Sequence, residues 1–164
     1  MGRSDSCGES SLLMVIYAWL VRNIERLVEG LEYYEVCTGR VSVWVGYRDG
    51  QAGEGHATLE APTDRFDILL DTLRPCLRQA WLPRGTANRM HLIAEGLVPR
   101  ASSQLGLFIP HDTRAEALAK LKREVNARHG RFVLRSAATL PLPGVYRDLS
   151  NGYDICDVHG KTCF

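Results

Sequence analysis

The sequence predicts an α+β domain, a small, mostly antiparallel four-stranded sheet with helices packed on one face. Two observations predict it. Apolar residues recur at helical spacing in three segments and at a spacing of two in the segments between them. At 164 residues, 45% hydrophobic and 24% charged, the composition is that of one soluble globular domain with an ordinary core.

The first helix is expected over about 12–33. Ile16, Leu20, Ile24, Leu27 and Leu31 share one face, Arg22, Glu25, Arg26 and Glu29 occupy others, and Ser10 or Ser11 suits the N-cap. In VSVWVGYR, residues 41–48, Val41, Val43, Val45 and Tyr47 alternate with Ser42, Trp44, Gly46 and Arg48, the pattern of a strand. The glycine-rich DGQAGEG reads as a turn into a shorter strand, HATLEA, residues 56–61, which completes a hairpin. Pro62, Thr63 and Asp64 start a second helix with the stripe Phe66, Leu69, Leu70, Leu73 and Leu77, running to about Gln79 and kinked near its end by Pro75.

NRMHLIAEGLV, residues 88–98, reads as a third strand. The next helix has Asp112 or Thr113 as N-cap, Ala117, Leu118, Leu121 and Val125 as its buried stripe, and Gly130 as C-cap. FVLRSAATL, residues 132–140, reads as the fourth strand. The expected division is a domain over 1–140 and a tail over 141–164.

Several function classes find little support. The longest apolar run, LLMVIYAWLV, has half of the roughly 20 residues a bilayer span needs. MGRSDSCGESS is polar and mixed in charge, unlike a secretory signal, so a cytoplasmic location is expected. Five scattered cysteines without a CxxC pair point to reduced thiols used in packing. No phosphate-binding glycine loop, GxSxG or HExxH occurs, and no catalytic residue is assigned. In the tail YDICDVHGKTCF, Cys156, His159 and Cys163 come together with Asp154 and Asp157, but a closed zinc site wants four ligands, so no metal or other cofactor is assigned to this chain.

Charge is more informative when divided along the chain. Residues 1–83 hold 8 Lys+Arg against 12 Asp+Glu, net −4; residues 84–135 hold 10 against 4, net +6; residues 136–164 hold 2 against 3, net −1. Within the basic block, Arg89 and His91 alternate on one face of the third strand, Arg131 and Arg135 flank the fourth, and Lys120, Lys122, Arg123 and Arg128 line the last helix. Cations at a spacing of two on neighbouring strands point to one sheet face, where a row could follow a phosphate backbone. A solvated surface explains the same charges, and charge alone does not choose. A second oddity is SSQLGLFIP, residues 102–110, which sets two leucines and a phenylalanine in a connection, as the tail of a buried strand or as a peptide displayed for a partner.

LIAEGLVPRASSQLGLF resembles the strand and following peptide of the little-finger domain of Y-family (UmuC/DinB-type) translesion DNA polymerases, where a strand like RLIGVGLSGLV runs into QL(x)LF. The order of elements agrees from about Leu12 on, through the hairpin VSVWVGYRDG to LAKLKREVNARHGRFVLRSAATL, and VYRDLSNGYDICDVHGKTCF resembles the ending of some bacterial UmuC-type members. The resemblance implies a noncatalytic module of SOS-response lesion bypass that grips duplex DNA through Arg89, His91, Arg131 and Arg135. It also implies a sliding-clamp partner, bound through Gln104, Leu105, Leu107 and Phe108. Phosphoryl transfer, with its Mg2+, belongs in that family to a palm domain preceding this one, so Met1 is expected to begin a fragment, and the remainder of a split polymerase would be a further partner.

The chain departs from the family pattern in three places. GRSDSCGESS is a poor strand where the family has one, His91 stands where the pattern has arginine, and Glu95 where it has an apolar residue. Histidine is the weaker cation at neutral pH, so a weaker grip on DNA is expected. Two other readings stay open: a clamp-binding adaptor without DNA binding, and a small metal-binding domain built on the Cys/His tail.

Overall fold

The computed structural model of the protein describes residues 6–82, 85–102, 113–130 and 132–142. The elements in order are α1 (Ser6–Tyr33), β1 (Val36–Tyr47), β2 (Ala52–Thr63), α2 (Phe66–Ala80), β3 (Ala87–Pro99), a 3-10 turn at Arg100–Ser102, α3 (Thr113–His129) and a 3-10 turn at Ala137–Thr139. The architecture is α+β, with three helices and an antiparallel sheet ordered β2-β1-β3. Among the described residues the sheet has three strands, not the four expected. Two compact units divide these residues. One holds α1 up to Arg22 with α3 and the Ala137–Thr139 turn, and the other runs from Asn23 to Ser102.

The second unit is built around β1. Val41, Val43 and Val45 are fully buried on one sheet face, beside Gly55 and Gly53 of β2 and Leu92 and Met90 of β3. Leu69, Leu73, Cys76 and Ala80 form the buried stripe of α2, which covers β2 and β1. Its backbone comes unusually close to β2. A Cβ added at Gly55 would overlap the Cys76 carbonyl oxygen, and one at Gly53 would overlap that of Ala80. The glycines expected to make a turn therefore lie inside β2, where a helix backbone leaves no room for a side chain.

The hairpin turn itself is Arg48-Asp49-Gly50. Gly50 adopts φ +84°, its N–H donates to Tyr47 O at 3.1 Å, and the Tyr47 N–H donates to Gln51 O at 2.9 Å. The buried Tyr47 hydroxyl donates to Ala80 O at 2.9 Å and accepts from the Leu82 N–H at 2.8 Å, fastening the end of α2 to the hairpin. Pro75 sits inside α2, removing one ladder donor, and the helix continues five residues past it. At the other end of α2, the Asp67 carboxylate accepts from Arg65 Nε at 3.1 Å and Nη2 at 2.6 Å. That hydrogen bonding holds Asp67 below the usual carboxylate range, against the upward push of partial burial.

α1 starts at Ser6, so Ser10 and Ser11 lie within the helix and do not cap it. Ile16, Leu20, Ile24 and Leu31 of its expected stripe are buried. Within the second unit, Asn23 Nδ2 of α1 donates to Met90 O of β3 at 3.3 Å.

In the first unit, α3 has no buried residue. Leu118 and Leu121 are 63% and 51% exposed, so the expected buried stripe is an apolar surface instead. FVLRSAATL is not a strand. Gly130 ends α3 at φ +115° with its N–H on Asn126 O, and Phe132 turns the chain again at φ +59°. The Asn126 side chain accepts from the Leu134 N–H at 2.7 Å and donates to Leu134 O at 3.0 Å. Ser136 then caps the second 3-10 turn through its Oγ. The backbone groups a strand would offer to a sheet are taken up locally.

Candidate nucleic-acid interface

One sheet face carries the core, and the other lies open. Register places four rows across it, in the order β2, β1, β3: Thr58, Arg40 and Glu95; His56, Ser42 and Ile93; Glu54, Trp44 and His91; Ala52, Gly46 and Arg89. Arg89 and His91 thus sit two residues apart on one exposed face, as the alternation in NRMHLIAEGLV predicts. Arg135 lies off the sheet, in the segment before the second 3-10 turn, and Arg131 lies outside the described residues. The expected two-strand row of cations is therefore half present, and it is carried by β3 alone.

The charge on this face is mixed. Arg40 and Glu95 form an ion pair at 3.8 Å with both side chains about half exposed, which uses part of one guanidinium's charge and contributes about 0–1 kcal/mol. The Arg89 side chain makes no hydrogen bond or ion pair among the described residues. Glu54 sits beside Trp44 on the β2 side. Around Trp44 the charges are opposed, with Arg89 on β3 and Glu54 on β2. Arg40, Ser42, His56 and Ile93 line an open depression of about 440 Å³ near its middle. Half of the basic block stands on α3, as Arg114, Lys120, Lys122, Arg123 and Arg128.

Trp44 has a defined pose. Its ring centroid is 5.3 Å from that of His91, with the planes tilted by 47°. A Cβ at Gly46 would lie 2.7 Å from its Cη2 and 2.9 Å from its Cζ3, so the indole lies along the strand over Gly46. Arg40, Glu54, His56 and Trp44 were absent from the residues expected at the site. The parity of β1 carries the signal for Trp44, since positions opposite in phase to Val41, Val43 and Val45 face away from the core.

The root of SSQLGLFIP is fixed on the same unit. The Arg100 N–H donates to Glu35 O at 2.8 Å, and its guanidinium pairs with the Asp64 carboxylate just ahead of α2. Gln104, Leu105, Leu107 and Phe108 lie outside the described residues, as do Cys156, His159 and Cys163. Among the described residues no group of three or more His, Cys, Asp or Glu side chains could hold a metal ion, and no helix is long and apolar enough to cross a membrane.

A family model described as the impB/mucB/samB family C-terminal domain matches residues 1–107. The match covers roughly two thirds of the chain and ends before α3. No curated protein matches the chain.

Proposed function

The chain belongs to the impB/mucB/samB family by its C-terminal domain, the little-finger region of Y-family polymerases, and on that footing we propose that it is a noncatalytic DNA-gripping and clamp-tethering module of lesion bypass. The observation that carries the reading is the open sheet face. Its central and β3 strands present Arg40, Arg89 and His91, all three exposed. A phosphate backbone crossing the face at the Arg89 end of β3 meets that guanidinium first, and the exposed Thr58 adds a hydroxyl donor on β2. Such contacts position a duplex without reading its sequence, and their strength falls as salt rises. With two guanidinium and two carboxylate groups in these four rows, the grip is modest, fitting a module whose value lies in adding to other contacts of a larger assembly.

The clamp contact would run through Gln104, Leu105, Leu107 and Phe108. Arg100 supports it by anchoring the point from which that peptide leaves the sheet. Leu107 and Phe108 fill an apolar pocket on the clamp and Gln104 hydrogen-bonds at its rim, a small set of anchors of the kind that dominates interface energies. Leu107→Ala combined with Phe108→Ala tests this. The double variant should lose binding to purified sliding clamp while keeping the circular dichroism spectrum and melting point of the parent. A large drop in stability would assign the two residues to the core and overturn the tether.

A further inference from the structure

We infer that Trp44, flanked by Arg89 and His91, is a stacking site for one unpaired nucleobase, so that the open face holds single-stranded DNA next to a duplex. This rests on the reading of the face as a nucleic-acid surface, and it adds a ligand class that backbone contacts alone do not require. An aromatic ring on the solvent side of a sheet is expensive surface to leave wet. Trp44, at the centre of the middle strand, nonetheless keeps part of its surface exposed. Its ring lies over Gly46, where the absent side chain makes space for it, so its inner side is supported by backbone. His91 closes one flank at 5.3 Å, and the Arg89 Cβ lies 3.5 Å from where a Gly46 Cβ would be, which places the guanidinium stem at the edge of the ring. The indole N–H has no acceptor among the described residues.

A supported ring beside an uncompensated guanidinium is the pairing that single-strand binders use, the ring for a base and the cation for its phosphate. Bases inside a duplex cover one another's faces and cannot use such a ring. Arg89 and Glu54 lie on opposite sides of Trp44, so the phosphate sits at Arg89 and the base edge points toward β2. There the Glu54 carboxylate accepts from an exocyclic amino group, which cytosine has and thymine lacks.

The test uses the full 164-residue chain and fluorescence anisotropy at low salt, comparing a blunt duplex with the same duplex carrying a short oligo-dC overhang. The overhang should tighten binding about five-fold to 150-fold, the value of one stacked base. Trp44→Leu should erase that gain, so that the blunt and the overhang duplex bind alike, while Trp44→Phe, which keeps a ring, should retain most of it. An oligo-dT overhang should give a smaller gain, and an equal one removes Glu54 from the site. Blunt-duplex binding with no overhang gain, or a gain that survives Trp44→Leu, overturns the stacking site alone. Equal weakening of both ligands by Trp44→Leu makes Trp44 a packing residue and also overturns it. Failure to bind either DNA overturns the DNA-gripping reading as well.

Discussion

Replacing Gly55 by alanine should push α2 off the sheet. The new Cβ would overlap the Cys76 carbonyl oxygen and lie 2.8 Å from Cys76 C and 2.9 Å from Cys76 Cα, all backbone atoms that cannot swing aside. Relief requires the helix to rise by several tenths of an ångström at least. Leu69, Leu73, Cys76 and Ala80, each buried against the sheet, would rise with it and lose part of their contact. A gap of 0.5–1 Å forfeits about a quarter to a half of each dispersion well, and overpacking of this kind costs about 1–3 kcal/mol. Alanine returns about 0.4–1 kcal/mol by restricting the unfolded chain, so a net loss of roughly 1–2 kcal/mol is expected. Gly39→Ala is the internal control. Its Cβ would meet only Gly96 O at 3.4 Å and Pro62 Cγ at 3.9 Å, ordinary contacts that leave the alanine's gain of about 0.4–1 kcal/mol uncancelled. Urea unfolding followed by circular dichroism measures both. A Gly55→Ala midpoint equal to that of the parent, or a larger loss for Gly39→Ala, would refute the close seat of α2 on β2.

Tyr47→Phe should cost about 1–3 kcal/mol in the same assay, because it leaves Ala80 O and the Leu82 N–H without their partner. Asp67 is depressed in the folded state by its Arg65 hydrogen bonds, so its contribution exists above the ordinary carboxylate value and is lost as pH falls through the folded one. The melting-point difference between the parent and Asp67→Asn should therefore be present at neutral pH and close on acidification, remaining small because the carboxylate is half exposed. The Cys76 thiol, pushed up by burial, should react with a thiol reagent only as fast as the protein opens, a rate that a labelling time course under native conditions reads directly.

The parts of the fold carried by local period were legible. NRMHLIAEGLV gives β3 to within one residue at each end, and the alternation in VSVWV separates the buried valines from the face that holds Trp44. Gly53 and Gly55 misled because a glycine cluster reads as a turn, whereas their reason for being glycine is the α2 backbone lying over them, a tertiary fact with no period. The fourth strand failed for a related reason. FVLRSAATL has acceptable strand composition, but Asn126, eight residues before Leu134, captures its backbone first. The stripe of Ala117, Leu118, Leu121 and Val125 shows which side of α3 is apolar and says nothing about whether anything covers it. Of the expected DNA contacts, Arg89 and His91 share a face because one strand carries both. Grouping them with Arg131 and Arg135 needed a pairing partner the chain does not supply among the described residues.

The central claim, that the open sheet face holds a phosphate backbone, is tested most directly by the salt dependence of duplex binding in the parent and in Arg89→Ala. Affinity should fall linearly on a log–log plot as salt rises, and losing the Arg89 contact should make the slope shallower by about 1 while weakening all duplex sequences alike. Absent or salt-independent binding, or an Arg89→Ala slope equal to that of the parent, would contradict it.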